Sequence, residues 1–234
     1  MDIALYLAAI LAMVFSLWAQ FKVQSTFNRY SRVNTASGGT AAQVAEMILH
    51  SSGVYDVRIE RVAGNLTDHY DPRSNTLRLS DGVYASTSAA AIGVAAHEAG
   101  HAIQHAEGYL PIKIRSMLVP VTNFASRMAW LVIMLGILMM SFAGDTGLGY
   151  YVTLIGIALF AVTALFQLVT LPCEFNASSR AMEALSTSGR YTYPELAASR
   201  KVLTAAALTY VAALVVSVIQ LLRLLTLLNR NGRR

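Results

Sequence analysis

The sequence predicts a mainly α-helical membrane protein with about four transmembrane helices and a small α+β unit. The 234 residues are 55% hydrophobic and only 13% charged, and the mean hydropathy is positive, outside the usual range of a soluble domain. Four apolar runs, Ile3 to Phe21, Arg127 to Ala143, Tyr150 to Leu171 and Val202 to Leu228, approach the roughly 20 helical residues that cross a hydrocarbon core. The long stretch between the first and second runs carries helix-cap, strand and turn signals instead.

The first run has no basic leader, begins behind Asp2 and reaches Trp18 without a small-x-small cleavage site, so it reads as a retained anchor and not as a signal peptide. Thr40 and Gln43 then form a capping box before an amphipathic helix with Val44, Met47 and Ile48 on its apolar face and Gly53 at its end. "VYDVRIERV" alternates as a half-buried strand does, and "LTDHYDPRSNTLRLS" reads as two short strands joined through Pro72 to Asn75. A helix from about Ser88 to Glu107 follows. Pro120 and Asn123 move the expected start of the second spanning helix to Ser116 or Val121, and Pro172 is expected to start a new helix after the third run. The resulting organisation is 1–21 first span, 22–115 α+β segment, 116–171 spanning hairpin, 172–201 helical segment, and 202–234 fourth span with a basic tail.

"GDTGLG" joins the second and third runs as a tight turn, which puts the segments 22–127 and 172–201 on one side of the membrane. Lys22, Lys113, Arg115, Arg127, Arg180, Arg190, Arg200 and Lys201 flank the spans on that side, so the positive-inside rule favours the cytoplasmic side of the membrane for it. The tail "RNGRR" falls opposite if the fourth run spans. A net charge of +5 without a basic stretch interleaved with aromatics excludes a nucleic-acid partner and favours anionic headgroups of the bilayer. The single cysteine, Cys173, allows no internal disulfide and no thiolate cluster.

The chemistry concentrates in "VAAHEAGHAIQH". His97, Glu98 and His101 fit H-E-x-x-H, whose i and i+4 imidazoles share a helix face and can take two positions of a tetrahedral zinc. Glu98 is then placed as the general base that takes a proton from the attacking water and passes it to the leaving amine. The third ligand has several candidates. His105 lies about 12 Å along the axis from His97, too far for one ion. Glu107 holds the metzincin position, but Gln104 stands where that pattern needs glycine to turn the chain. Cys173 reads as a small buried apolar residue. Glu174, in "LPCEFNASSRAMEAL", is favoured: it sits early in a helix, and Ala177 three residues on is small enough to pack against the His97 helix. Glu183 is the fallback.

"LTDHYDP", "LS" at Leu79 and Ser80, "VAAHEAGHAIQH" followed by "GY", and "LPCEFNASSRA" together resemble the YugP-type membrane zinc metallopeptidases of bacteria over nearly the whole chain. A more distant likeness is to HtpX-type and CAAX-prenyl proteases, whose second motif is E-x-x-A-D; Glu174 and Ala177 match it, and Ser178 replaces its aspartate. The resemblance implies a zincin-like (gluzincin) catalytic domain with one Zn2+ on His97, His101 and Glu174, and Glu98 as base.

An extended substrate is expected to add beside an edge strand, for which "NTLRLS" is the candidate. His69 and Tyr70 are candidates to hydrogen-bond a developing oxyanion; equally, Asp68, His69 and Asp71 could simply stabilise the turn. The expected activity is endoproteolysis of membrane proteins or membrane-proximal peptides. The competing expectation, a silent zinc-binding scaffold, is disfavoured because three ligands and a base leave one coordination position open.

Overall fold

The computed structural model describes residues 2–142 and 146–231. Ala143, the expected end of the second run, Gly144 and Asp145 of the expected hairpin turn, and Gly232, Arg233 and Arg234 of the expected basic tail lie outside the described residues. In chain order the elements are α1 (Asp2–Tyr30), α2 (Ala41–Ser51), β1 (Arg58–Val62), β2 (His69–Asp71), β3 (Thr76–Ser80), α3 (Asp81–Tyr84), α4 (Ala89–Ala106), α5 (Leu110–Phe142), α6 (Thr146–Thr187) and α7 (Tyr193–Asn231). The protein is mainly helical, and among the described residues four helices, α1, α5, α6 and α7, are long and apolar enough to cross a membrane.

Contacts divide the chain into two compact units: residues 1–18, 114–170 and 210–234, and residues 19–113 with 171–209. The first unit is helical. Its exposed residues are those lipid would cover: Leu11, Leu131 and Ile155 are each more than half exposed. Its α5–α6 pair packs through glycines. A Cβ on Gly156 would meet the Ile133 backbone nitrogen at 2.7 Å and one on Gly149 the Gly136 carbonyl oxygen at 2.9 Å, so the backbones touch where association in lipid depends on close approach.

The second unit is the α+β one. Thr40 caps α2 by accepting from the Gln43 N–H while the Gln43 side chain accepts from the Thr40 N–H, and Val44, Ile48 and Leu49 are buried. The sheet order is β1-β3-β2, with β1 parallel and β2 antiparallel to β3. The β2–β3 turn is built by Asp71, which accepts from the Arg73 N–H and the Ser74 hydroxyl, and by Asn75 at φ 49°. α4 starts at Ser88, whose hydroxyl accepts from the Ala91 N–H, and stops before Gly108, at φ 68°, a value that glycine adopts without Cβ strain. Leu77, Leu79, Ile92, Ala95, Leu185 and Val202 belong to the shared core.

Three expectations need correction. β3, the "NTLRLS" strand, is central and has neighbours on both sides, so it offers no edge to a substrate; β1 and β2 are the outer strands. α5 begins at Leu110 and carries Pro120 inside it. α6 runs unbroken through Pro172, so Glu174 lies within the third long helix and not at the start of a new one. A proline removes one N–H and restricts its predecessor, and in long apolar helices neighbouring groups and local adjustment absorb both effects.

Candidate metal centre

α4 is the scaffold of the centre. Its small residues, Ala95, Ala96, Ala99 and Gly100, are buried, and Gly100 lets α6 come close enough that an added Cβ would stand 2.7 Å from the Ala177 carbonyl oxygen. Ala177 is one helical turn beyond Glu174, so this contact also sets the position of the Glu174 carboxylate. Glu174 Oε2 lies 3.2 Å from His97 Nε2 and 3.4 Å from His101 Nε2, and ligand atoms of all three residues fall within 4.8 Å of one another. Ligands held at about 2.0–2.1 Å around a tetrahedral ion stand about 3.3 Å apart, so the two distances to Glu174 match a zinc-sized centre.

The outer hydrogen bonds decide what faces that centre. Gln104 is fully buried. Its Nε2 donates to the Cys173 carbonyl at 2.8 Å and to Asn176 Oδ1 at 2.9 Å, which leaves Oε1 as the acceptor 3.0 Å from His101 Nδ1. His101 must therefore carry its proton on Nδ1, and in the neutral ring its Nε2 lone pair points at a carboxylate oxygen. Two lone pairs at that distance repel unless a cation or proton lies between them, and the donor set of two imidazoles and a carboxylate suits zinc. His97 Nδ1 is 3.1 Å from Ser178 Oγ, so the serine standing in place of the E-x-x-A-D aspartate partners the first histidine as a neutral hydroxyl. A glutamine three residues beyond His101, on the same helix, is the signal that could have pointed to its role; Asn176, reached only through the fold, had none.

Glu98, almost fully buried, accepts at Oε2 from the Tyr70 N–H at 3.0 Å. Burial pushes its carboxyl up to about 6, with His97 opposing. Asp68 holds the approach to β2 by accepting from the N–H and hydroxyl of Ser80; burial raises its carboxyl above the ordinary range, against those bonds.

The remaining candidates lie outside the convergence. Tyr70 donates its hydroxyl to Asn75 Oδ1 at 2.7 Å, and His105 Nδ1 is 3.4 Å from that hydroxyl; burial pushes the Tyr70 phenol up to about 12. His69 is exposed, with Nδ1 2.8 Å from the Thr67 carbonyl. Glu107 pairs with Arg180 at 2.7 Å, and Arg180 also donates to Asn176. Cys173 is buried and Glu183 is exposed.

A helix with two histidines and a glutamate, a carboxylate brought to them by a second helix, and four long apolar helices define a membrane-protein class with a candidate zinc centre. Residues 5–229 match a family model described as "Putative neutral zinc metallopeptidase", and the chain belongs to that family. It is 48% identical over 224 residues, 96% of each chain, to a Bacillus subtilis (strain 168) protein named "Putative membrane protease YugP". No solved structure matches.

Proposed function

We propose that this protein is an integral-membrane zinc endopeptidase that cleaves membrane proteins or membrane-proximal peptides, with one Zn2+ on His97, His101 and Glu174 and Glu98 as general base. The observation that supports it best is the convergence of His97 Nε2, His101 Nε2 and Glu174 Oε2, with the His101 tautomer set by Gln104. When bound, the ion supplies a Lewis acid that acidifies water and polarises a peptide carbonyl.

The chain's own groups supply the rest. The Tyr70 amide fixes one oxygen of Glu98 and leaves the other to take a proton from the attacking water and deliver it to the leaving amine. A carboxyl raised by burial suits both transfers near neutral pH. β2 is an outer strand beside Glu98, which already takes the Tyr70 N–H, and an extended substrate adds along this strand. Of the two oxyanion candidates, the Tyr70 hydroxyl is committed to Asn75, and His69 gives its Nδ1 proton to the Thr67 carbonyl, so in the neutral ring its Nε2 accepts and neither side chain is a free donor. Residues 22–115 and 172–201 form the catalytic segment, on the cytoplasmic side by the distribution of basic residues. Substrates are met near the bilayer surface.

The test is zinc content and peptide cleavage by detergent-purified protein. Glu98→Gln should keep zinc and lose cleavage by about 10²-fold or more; Glu174→Ala should lose the zinc. Cleavage unchanged in Glu98→Gln would refute the base assignment, and zinc unaffected by Glu174→Ala would refute the ligand set.

A further inference from the structure

Within the first unit, a cavity of about 190 Å3 lies between α1, α5 and α7. Ile133, Met134 and Leu224 give it an apolar wall, while Arg223 and Gln220, three residues apart on α7, bring polar groups to it. The Arg223 guanidinium stands 4.3 Å from the centroid of the Tyr6 ring, and among the described side chains no carboxylate forms an ion pair with it. A cation in an apolar span is expensive unless something answers its charge, and such residues mark ligand sites by default. The tyrosine face answers it only in part.

The cavity has room for several waters, but its apolar wall gives them few partners. An amphiphile with an anionic head fits both features. Arg223 precedes the end of the apolar run at Leu228 by five residues, about 7.5 Å along the axis, within reach of the headgroup layer for a long arginine side chain. Trp130 also lines the cavity, and it and Tyr6 are the aromatic types enriched at that level.

We propose that this cavity binds the phosphate of an anionic phospholipid. Arg223 contacts the phosphate oxygens, Tyr6 holds the guanidinium plane, Gln220 adds a donor, and Ile133, Met134 and Leu224 pack against the first acyl carbons. This is a specific lipid site, distinct from general solvation of the spans, and it stands whether or not the protein is a peptidase.

The experiment uses the full chain in neutral detergent and measures binding of phosphatidylglycerol and phosphatidylcholine by native mass spectrometry, with inorganic phosphate as competitor. Wild type should prefer phosphatidylglycerol about fivefold or more, the contribution of one arginine to an anionic surface. Arg223→Gln should abolish the preference, and inorganic phosphate should not displace the lipid. Tyr6→Leu, which leaves every charge in place, should lower the preference about twofold and serves if Arg223→Gln fails to fold. Equal binding of the two lipids by wild type, an undiminished preference in Arg223→Gln or in Tyr6→Leu, or displacement by inorganic phosphate would each overturn the proposal, the last by making a soluble anion the ligand.

Discussion

Gly100→Ala tests how the centre is assembled. The added Cβ would stand 2.7 Å from the Ala177 carbonyl oxygen and 3.2 Å from the Ala177 Cα. A carbon and a carbonyl oxygen rest at about 3.3 Å or more, so α4 and α6 must part by about 0.6 Å locally. Metal–ligand distances tolerate about 0.2 Å, and Glu174 sits one turn from the point of contact, so most of the shift reaches it. Overpacking of this kind costs about 1–3 kcal/mol, and alanine returns up to about 1 kcal/mol in helix propensity. The metal-free protein should therefore be destabilised by no more than about 3 kcal/mol, whereas zinc affinity should fall about 5- to 150-fold, the equivalent of 1–3 kcal/mol. Competition with a chelating dye gives the affinity and thermal unfolding of the metal-free form gives the stability. Gly82→Ala, whose Cβ would have nothing within 4 Å, is the neutral control. Zinc affinity within twofold of wild type in Gly100→Ala would refute the claim that this glycine sets the Glu174 position.

Other predictions follow from single contacts. Gln104→Met keeps the volume but removes the acceptor facing His101 Nδ1 and the donor shared by the Cys173 carbonyl and Asn176; zinc affinity should drop about 10- to 100-fold by the same dye assay. In protein stripped of metal, the Glu98 carboxyl rises from its ordinary 4.5 to about 6. Folding then gains from the proton: the contribution is full below 4.5 and lost as pH rises through 6. Thermal unfolding between pH 4.5 and 7 should show a loss of about 2 kcal/mol, and Glu98→Gln should flatten that dependence. Asp68→Ala leaves the Ser80 N–H without its acceptor and should lower stability by about 1–3 kcal/mol, read from the unfolding midpoint. Gly156→Ala drives a Cβ against Ile133 and should destabilise the α5–α6 pair by about 1–3 kcal/mol in detergent.

The fold class is legible because apolar run length and helical period are local properties of the chain. The capping box at Thr40, the Asp71 turn and the Ser88 cap are legible for the same reason, since each uses residues within a few positions of one another. Strand order is not local. β3 is the edge candidate in the sequence because it lies just upstream of the His97 helix, yet β1 pairs with it in parallel through a connection that no pattern between Val62 and Thr76 specifies. Pro120 and Pro172 mislead because proline's cost in water is relieved in long apolar helices. At the candidate centre, the spacing of His97 and His101 can be read directly, and Glu174 is favoured by its small neighbour Ala177. The hydrogen bond from Gln104 to the Cys173 carbonyl spans 69 residues, and only the packed structure shows it.

The neutral partners of the two histidines have a consequence for charge balance. Ser178 and Gln104 carry no charge, so a divalent ion held beside Glu98 and Glu174 would meet two negative charges and close the centre at zero. An aspartate at position 178 would leave that buried group one charge negative and in need of a cation from solvent or from an arriving peptide. With serine there, the resting centre makes no electrostatic demand on its surroundings, which suits a group buried away from water.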